Sequence, residues 1–167
     1  SNALVFKLMN ADIKNQNSVP GKFMAYASYG NYEPEIEEWL IENNFFENIW
    51  NNEILFFNNV KKKWNIKLNY FDLKNDILKN IAATIHEIFI RESFKKIANL
   101  KNKTNAEFLY LTGGCALNIK LNEKLSNSKI FNEIYIPPCP GDSGLSIGAI
   151  ACVQFFKNEI IKTHSPF

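Results

Sequence analysis

Two short apolar runs, each stopped by a glycine-bearing turn and followed by a helix-length segment, constrain this chain more than any other feature. Phe108-Leu109-Tyr110-Leu111 runs into Thr112-Gly113-Gly114. Phe131 to Ile136 runs into Pro137-Pro138-Cys139-Pro140-Gly141. Cys115 to Leu125 between them reads as a helix, and Gly144 to Phe156 as a second, small and apolar one. The order strand–helix–strand–helix predicts parallel strands joined by a right-handed crossover. The first run reads as a buried strand meeting a tight turn. The fold class is therefore α/β and helix-rich, with short parallel strands.

Upstream, the pattern is helical. Residues 4–9 are a short apolar stretch, followed by a polar segment to Val19. Gly21 to Gly30 reads as a loop or a short helix between turns. Pro34 suits a first helical turn, and Ile36, Trp39 and Leu40 continue at helical spacing, predicting a helix to about Trp50. A further element covers Glu53 to Lys63. The clearest helix begins after Asp72, with Asp72 as its cap, and ends near Leu100. Its apolar face is Ile77, Leu78, Ile81, Ile85, Ile88, Phe89 and Ile97. Trp39, Trp50 and Trp64 read as packing residues rather than a base-stacking platform.

Composition excludes several classes. The 167 residues are 46% hydrophobic and 22% charged, which suits a packed core and not disorder. A net charge of +2, with Arg91 the single arginine among 19 basic residues, leaves no electrostatic footprint for nucleic acid. The apolar runs fall far short of the ~18 residues a membrane helix needs. Cys115, Cys139 and Cys152 show no metal spacing, and His86 and His164 stand far apart. Free thiols without a signal peptide point to a reducing cytoplasm. Ser1-Asn2-Ala3 looks like an expression-tag remnant, leaving residues 4–167 as one fragment of a longer protein. Within it, residues 31–105 are the helical part and 106–157 the part with strands.

Both loops after the strands are positioned for chemistry, because open α/β sheets bind ligands at the carboxyl ends of their strands. Gly113 and Gly114 let backbone approach a ligand, and the following helix offers unpaired N–H groups. Asn118, about one turn in, can donate and accept toward a ribose or base. The plainer reading is a strand-to-helix turn. Asp142, between Gly141 and Gly144 at a helix start, can hold a metal ion or simply cap the helix. Lys22 can meet a phosphate as a point charge or be an ordinary surface lysine. Cys115 beside the glycines reads as a packing residue, His86 as structural and His164 as exposed.

Three blocks in order resemble a known family. Gly113-Gly114-Cys115-Ala116-Leu117-Asn118, followed by Asn122, is similar to a block of the nodulation-type O-carbamoyltransferases. So are Ile134 to Ala149 and Gly21 to Gly30, while His164 to Phe167 resembles the segment before that family's C-terminal domain. The resemblance implies part of an actin-like, sugar-kinase-type (ASKHA) ATPase domain, related to the tRNA threonylcarbamoyl-transfer proteins. This chain would be the carboxyl half of that domain. The whole enzyme would form carbamoyl-adenylate from carbamoyl phosphate and ATP and pass the carbamoyl group to a hydroxyl-bearing small molecule. Gly113, Gly114, Asn118, Gly141 and Gly144 would then face the nucleotide, Lys22 its phosphates, and Asp142 a divalent metal, iron or magnesium. The fragment alone would be inactive without its missing N-terminal lobe and C-terminal domain. Val19-Pro20, Ala25-Tyr26, Ser28 and Cys115 depart from the family's pattern. The alternatives are a non-catalytic actin-like interaction module and another ATP-dependent phosphotransferase, such as a sugar kinase.

Overall fold

The structure is a computed structural model that describes residues 19–45, 53–67 and 74–159. The readings placed on residues 4–9, Trp50, Asp72 and His164 lie outside those residues. The chain divides into two compact units, Ser1–Arg91 and Glu92–Phe167.

The first unit is helical. Helix α1 spans Val19–Ala27 and α2 spans Pro34–Glu42. Helix α3 covers Glu53–Lys63, and α4 covers Asp76–Thr104, which carries the division between the units. Pro34 opens α2, its fixed φ costing nothing where no N–H partner exists. That helix ends at Glu42 rather than near Trp50. Asn43 folds its side-chain amide back onto the Trp39 carbonyl at 2.8 Å, and Asn44 turns left-handed at φ 50°. Helix α4 starts at Asp76 because Asn75 caps it, its Oδ1 accepting from the Leu78 amide at 3.0 Å. It runs one turn past Leu100, to where Asn105 takes φ 54°.

These helices enclose one apolar core. Phe23, Tyr26, Ile36, Leu40, Phe45 and Val60 meet Leu78, Ile81, Ile85 and Ile88 of α4. Each such large side chain is worth roughly 1.5–3 kcal/mol when fully buried. Ile77 departs from the predicted face and is exposed, while Thr84 is buried in the stripe instead. Its hydroxyl accepts from the Glu33 amide at 3.0 Å, which satisfies the first residue before α2. Trp39 and Trp64 pack edge to face with centroids 4.8 Å apart, and His86 sits 6.1 Å from the Phe23 ring, both as packing partners.

One polar cluster ties α2 to α4. Arg91 forks onto Glu37, with Nη1 donating to Oε2 at 3.0 Å and Nη2 to Oε1, and Tyr32 donates its hydroxyl to Oε2 at 2.7 Å. The Arg91 hydrogen bonds hold the Glu37 carboxyl below its usual range, and the Glu37 hydrogen bond pushes the Tyr32 phenol up. The single arginine thus serves a geometry that lysine cannot match.

The second unit has strand β1, Phe108–Tyr110, pairing in parallel with β2, Glu133–Tyr135. Phe108 faces Glu133, Leu109 faces Ile134 and Tyr110 faces Tyr135. Helix α5, Ile119–Ser128, connects them, which meets the predicted parallel crossover. Helix α6 is Leu145–Phe156. The architecture is a helix-rich α/β arrangement with a two-stranded parallel sheet. The prediction of a buried first strand fails: Phe108 and Tyr110 are exposed, and only Leu109 is partly covered. Periodicity cannot distinguish a strand buried on both sides from an apolar one left open. Among the described residues, no helix is long and apolar enough to cross a membrane.

Candidate functional site

Strand pairing brings the two outgoing loops together. The ladder continues beyond the strands through the Leu111 amide, which donates to the Tyr135 carbonyl at 3.0 Å. The second loop then leaves the sheet at Ile136 and returns at Pro140. There its carbonyl accepts twice, from the Gly113 amide at 2.7 Å and from the Thr112 hydroxyl at 3.0 Å. Pro140 is buried at this joint, while Gly113, Gly114 and Asp142 are exposed around it.

The first loop differs from its prediction in form. The glycines do not open a helix from Cys115 to Leu125. Gly114–Leu117 is a single 3-10 turn, and α5 starts only at Ile119. Asn118 makes the break: its Oδ1 accepts from the Leu121 amide at 3.1 Å, so it caps α5. It is buried, with its side-chain oxygen spent on that cap. The glycines retain their openness. Gly113 sits at φ 91°, where a side chain is strained, and a Cβ on either Gly113 or Gly114 would meet nothing within 4 Å. The Gly113 amide, however, is taken by Pro140 and is not a free donor. Asn122, one turn into α5, donates its side-chain amide to the Ala116 carbonyl at 2.8 Å and so braces the far side of the turn.

The second loop folds on itself. Asp142–Gly144 forms a 3-10 turn closed by the Gly144 amide on the Gly141 carbonyl at 2.9 Å. A Cβ at Gly144 would stand 2.2 Å from the Cys139 carbonyl oxygen, so the protein's own backbone occupies the space this glycine leaves. Gly141 lies against Leu117 of the first loop, 3.4 Å from the Leu117 methyl to the position of a Cβ. Asp142 does not cap α6; no side chain caps either the turn or the helix after it. Among the described residues, its exposed carboxylate has no hydrogen-bond or ion-pair partner.

Asp142 suits one ligand position of a divalent cation, being an unengaged hard oxygen donor. Among the described residues, no three His, Cys, Asp or Glu side chains gather to hold a metal. Lys22 lies exposed on α1, in the first unit. Cys115 and Cys139 are both exposed thiols, one on each loop, against the expectation that Cys115 packs. Sequence reasoning passed over Thr112 and Pro140, whose contact joins the loops. The only signal for it was the predicted parallel pairing.

The family model described as the carbamoyltransferase N-terminus matches residues 7–152, a span that includes both loops. The chain belongs to the carbamoyltransferase family. Nodulation protein U of Bradyrhizobium diazoefficiens is 34% identical over 77 residues, 46% of this chain and 13% of that protein. Nodulation protein U of Sinorhizobium fredii is 47% identical over 76 residues, 44% of this chain and 14% of that protein. The namesake from Azorhizobium caulinodans is 35% identical over 83 residues, 48% and 15% of the two chains. The matched part of this carbamoyltransferase-family chain thus spans only 13% to 15% of these relatives' own length. No solved structure matches it.

Proposed function

We propose that this chain is the nucleotide- and metal-facing part of an O-carbamoyltransferase with an actin-like ATPase domain. The whole protein hydrolyses carbamoyl phosphate to carbamate and phosphate, and a carbamate oxygen displaces pyrophosphate from the α-phosphorus of ATP, so that the carbamoyl group stands on AMP. It then passes that group to a hydroxyl on a small molecule and releases AMP. The observation that carries this reading is the joint at Pro140. It sets an open diglycine turn beside a loop that bears an unengaged carboxylate, in a chain of this family.

In this reading the backbone at Gly113–Gly114 takes the nucleotide at close range, because no side chain stands in the way. Asp142 holds one position of a divalent cation, whose chemistry when bound is to neutralise phosphate charge. Asn118 acts mainly by ending the turn at the right place. Gly141 and Gly144 shape the acidic loop.

The lobe reading draws support from α6. It contains no charged residue, yet Leu145, Ile147, Ile150, Val153, Phe155 and Phe156 are 55–78% exposed. A helix apolar all round belongs inside a larger domain. The rest of the polypeptide, an N-terminal lobe and a C-terminal domain, is therefore the proposed partner, and this part alone is inactive. The test is turnover by the full-length protein. AMP release that requires ATP, carbamoyl phosphate, a divalent cation and an alcohol acceptor is the expected result, and Asp142→Ala should abolish it. Full turnover in a folded Asp142→Ala protein would remove Asp142 from the site. Absence of ATP binding at millimolar concentration would instead favour a non-catalytic interaction module.

A further inference from the structure

We propose that Thr112 is a positioning residue that fixes the acidic loop against the diglycine turn, an inference that rests on the nucleotide and metal reading above. The backbone around it shows why a clamp is needed. The second loop departs from β2 after the Leu111–Tyr135 bond and, among the described residues, has no backbone partner outside itself until Pro140. At Pro140 the carbonyl has two acceptor sites, and the first loop fills both, one from the Gly113 amide and one from the Thr112 hydroxyl. Two donors from consecutive residues fix the direction of that carbonyl as well as its distance.

Pro140 immediately precedes the acidic turn. Its orientation passes through Gly141 to Asp142 with little slack, since the Gly144 amide closes the turn on the Gly141 carbonyl at 2.9 Å and the Cys139 carbonyl fills the space beside Gly144. The placement of the Asp142 carboxylate relative to Gly113–Gly114 therefore depends on the clamp. The Gly113 half of it is backbone, and a change of side chain at Thr112 weakens it without removing its donor. The Thr112 half is the one a side chain supplies, so it is the part open to mutation.

Thr112→Val keeps the shape and removes the donor; Thr112→Ser keeps the donor and removes the methyl. In the full-length protein, Thr112→Val should speed hydrogen exchange at the Gly113 amide roughly three- to tenfold, the usual worth of one hydrogen bond. It should weaken binding of magnesium-ATP, measured by calorimetry, by a similar factor. Thr112→Ser should stay near wild type in both. Exchange in α5 should not change, which separates loop positioning from a general loss of stability.

Unchanged Gly113 exchange and unchanged ATP affinity in Thr112→Val would overturn the proposal. So would equal impairment of the serine variant, or faster exchange spread over β1 and α5. If the wild-type protein binds no ATP, the nucleotide reading fails by itself, and Gly113 exchange alone then decides the clamp by the same contrast. Should Thr112→Val not fold, Thr112→Ala against Thr112→Ser makes the same comparison.

Discussion

The amide of Gly113 donates to the carbonyl of Pro140 at 2.7 Å, and this bond makes one loop pair out of two distant stretches of sequence. It follows from the parallel register that sets Tyr110 opposite Tyr135, because strands in register release their chains at the same sheet edge. An open glycine turn and an exposed aspartate then lie on adjoining loops of the second unit.

Glycine serves opposite purposes within one short stretch. At Gly144 a Cβ would collide with the Cys139 carbonyl, whereas at Gly148, inside α6, it would meet nothing within 4 Å. Gly144→Ala should therefore cost about 2 kcal/mol or more through strain and loop displacement. Gly148→Ala should be neutral or gain up to about 1 kcal/mol from helix propensity. Thermal unfolding of the two variants side by side checks this contrast.

Asn118 links the site to helix stability. Asn118→Ala removes the oxygen that accepts from the Leu121 amide and should cost about 1 kcal/mol. Asn118→Asp keeps an acceptor there and adds a negative charge at a helix N-terminus, so it should recover most of that loss. Denaturant midpoints of the three proteins test the order wild type, aspartate variant, alanine variant.

The Glu37–Arg91 fork predicts an acid-sensitive component of stability. Hydrogen bonds from Arg91 lower the Glu37 pKa in the folded state. A depressed carboxylate stabilises fully above its unfolded pKa and loses that contribution as pH falls through the folded value. The stability gap between wild type and Glu37→Gln should therefore be constant near neutrality and close below about pH 4.5. Arg91→Lys, which loses the two-pronged geometry, should cost about 1 kcal/mol at pH 7, a figure held low by the partial exposure of Arg91. Melting curves between pH 3 and pH 7 check both.

Elements whose evidence is local were legible in the sequence. Apolar spacing and turn residues gave α3, α6 and the strand–helix–strand order, and three ordered blocks pointed to the family. Helix ends were less legible, and asparagine is the common reason. Asn44 and Asn105 end helices in left-handed geometry, Asn75 caps the start of α4, and Asn118 splits one expected helix in two. A short amide side chain competes with the helix for backbone groups, and apolar periodicity carries no trace of that competition. Burial was misjudged where it depends on what else packs nearby, as for Phe108 and Tyr110. The site residues stood out singly. Their joint at Thr112, Gly113 and Pro140 emerges only from the register of the paired strands.

The central claim is that both loops face one nucleotide–metal site, and paramagnetic broadening tests it most directly. The full-length protein, labelled with ¹⁵N only at glycine, would be titrated with ATP and then with manganese(II). The account predicts that Gly113, Gly114, Gly141 and Gly144 broaden together, and that Asp142→Asn, still folded, abolishes the effect. Broadening confined to one loop, or undiminished in Asp142→Asn, would contradict it.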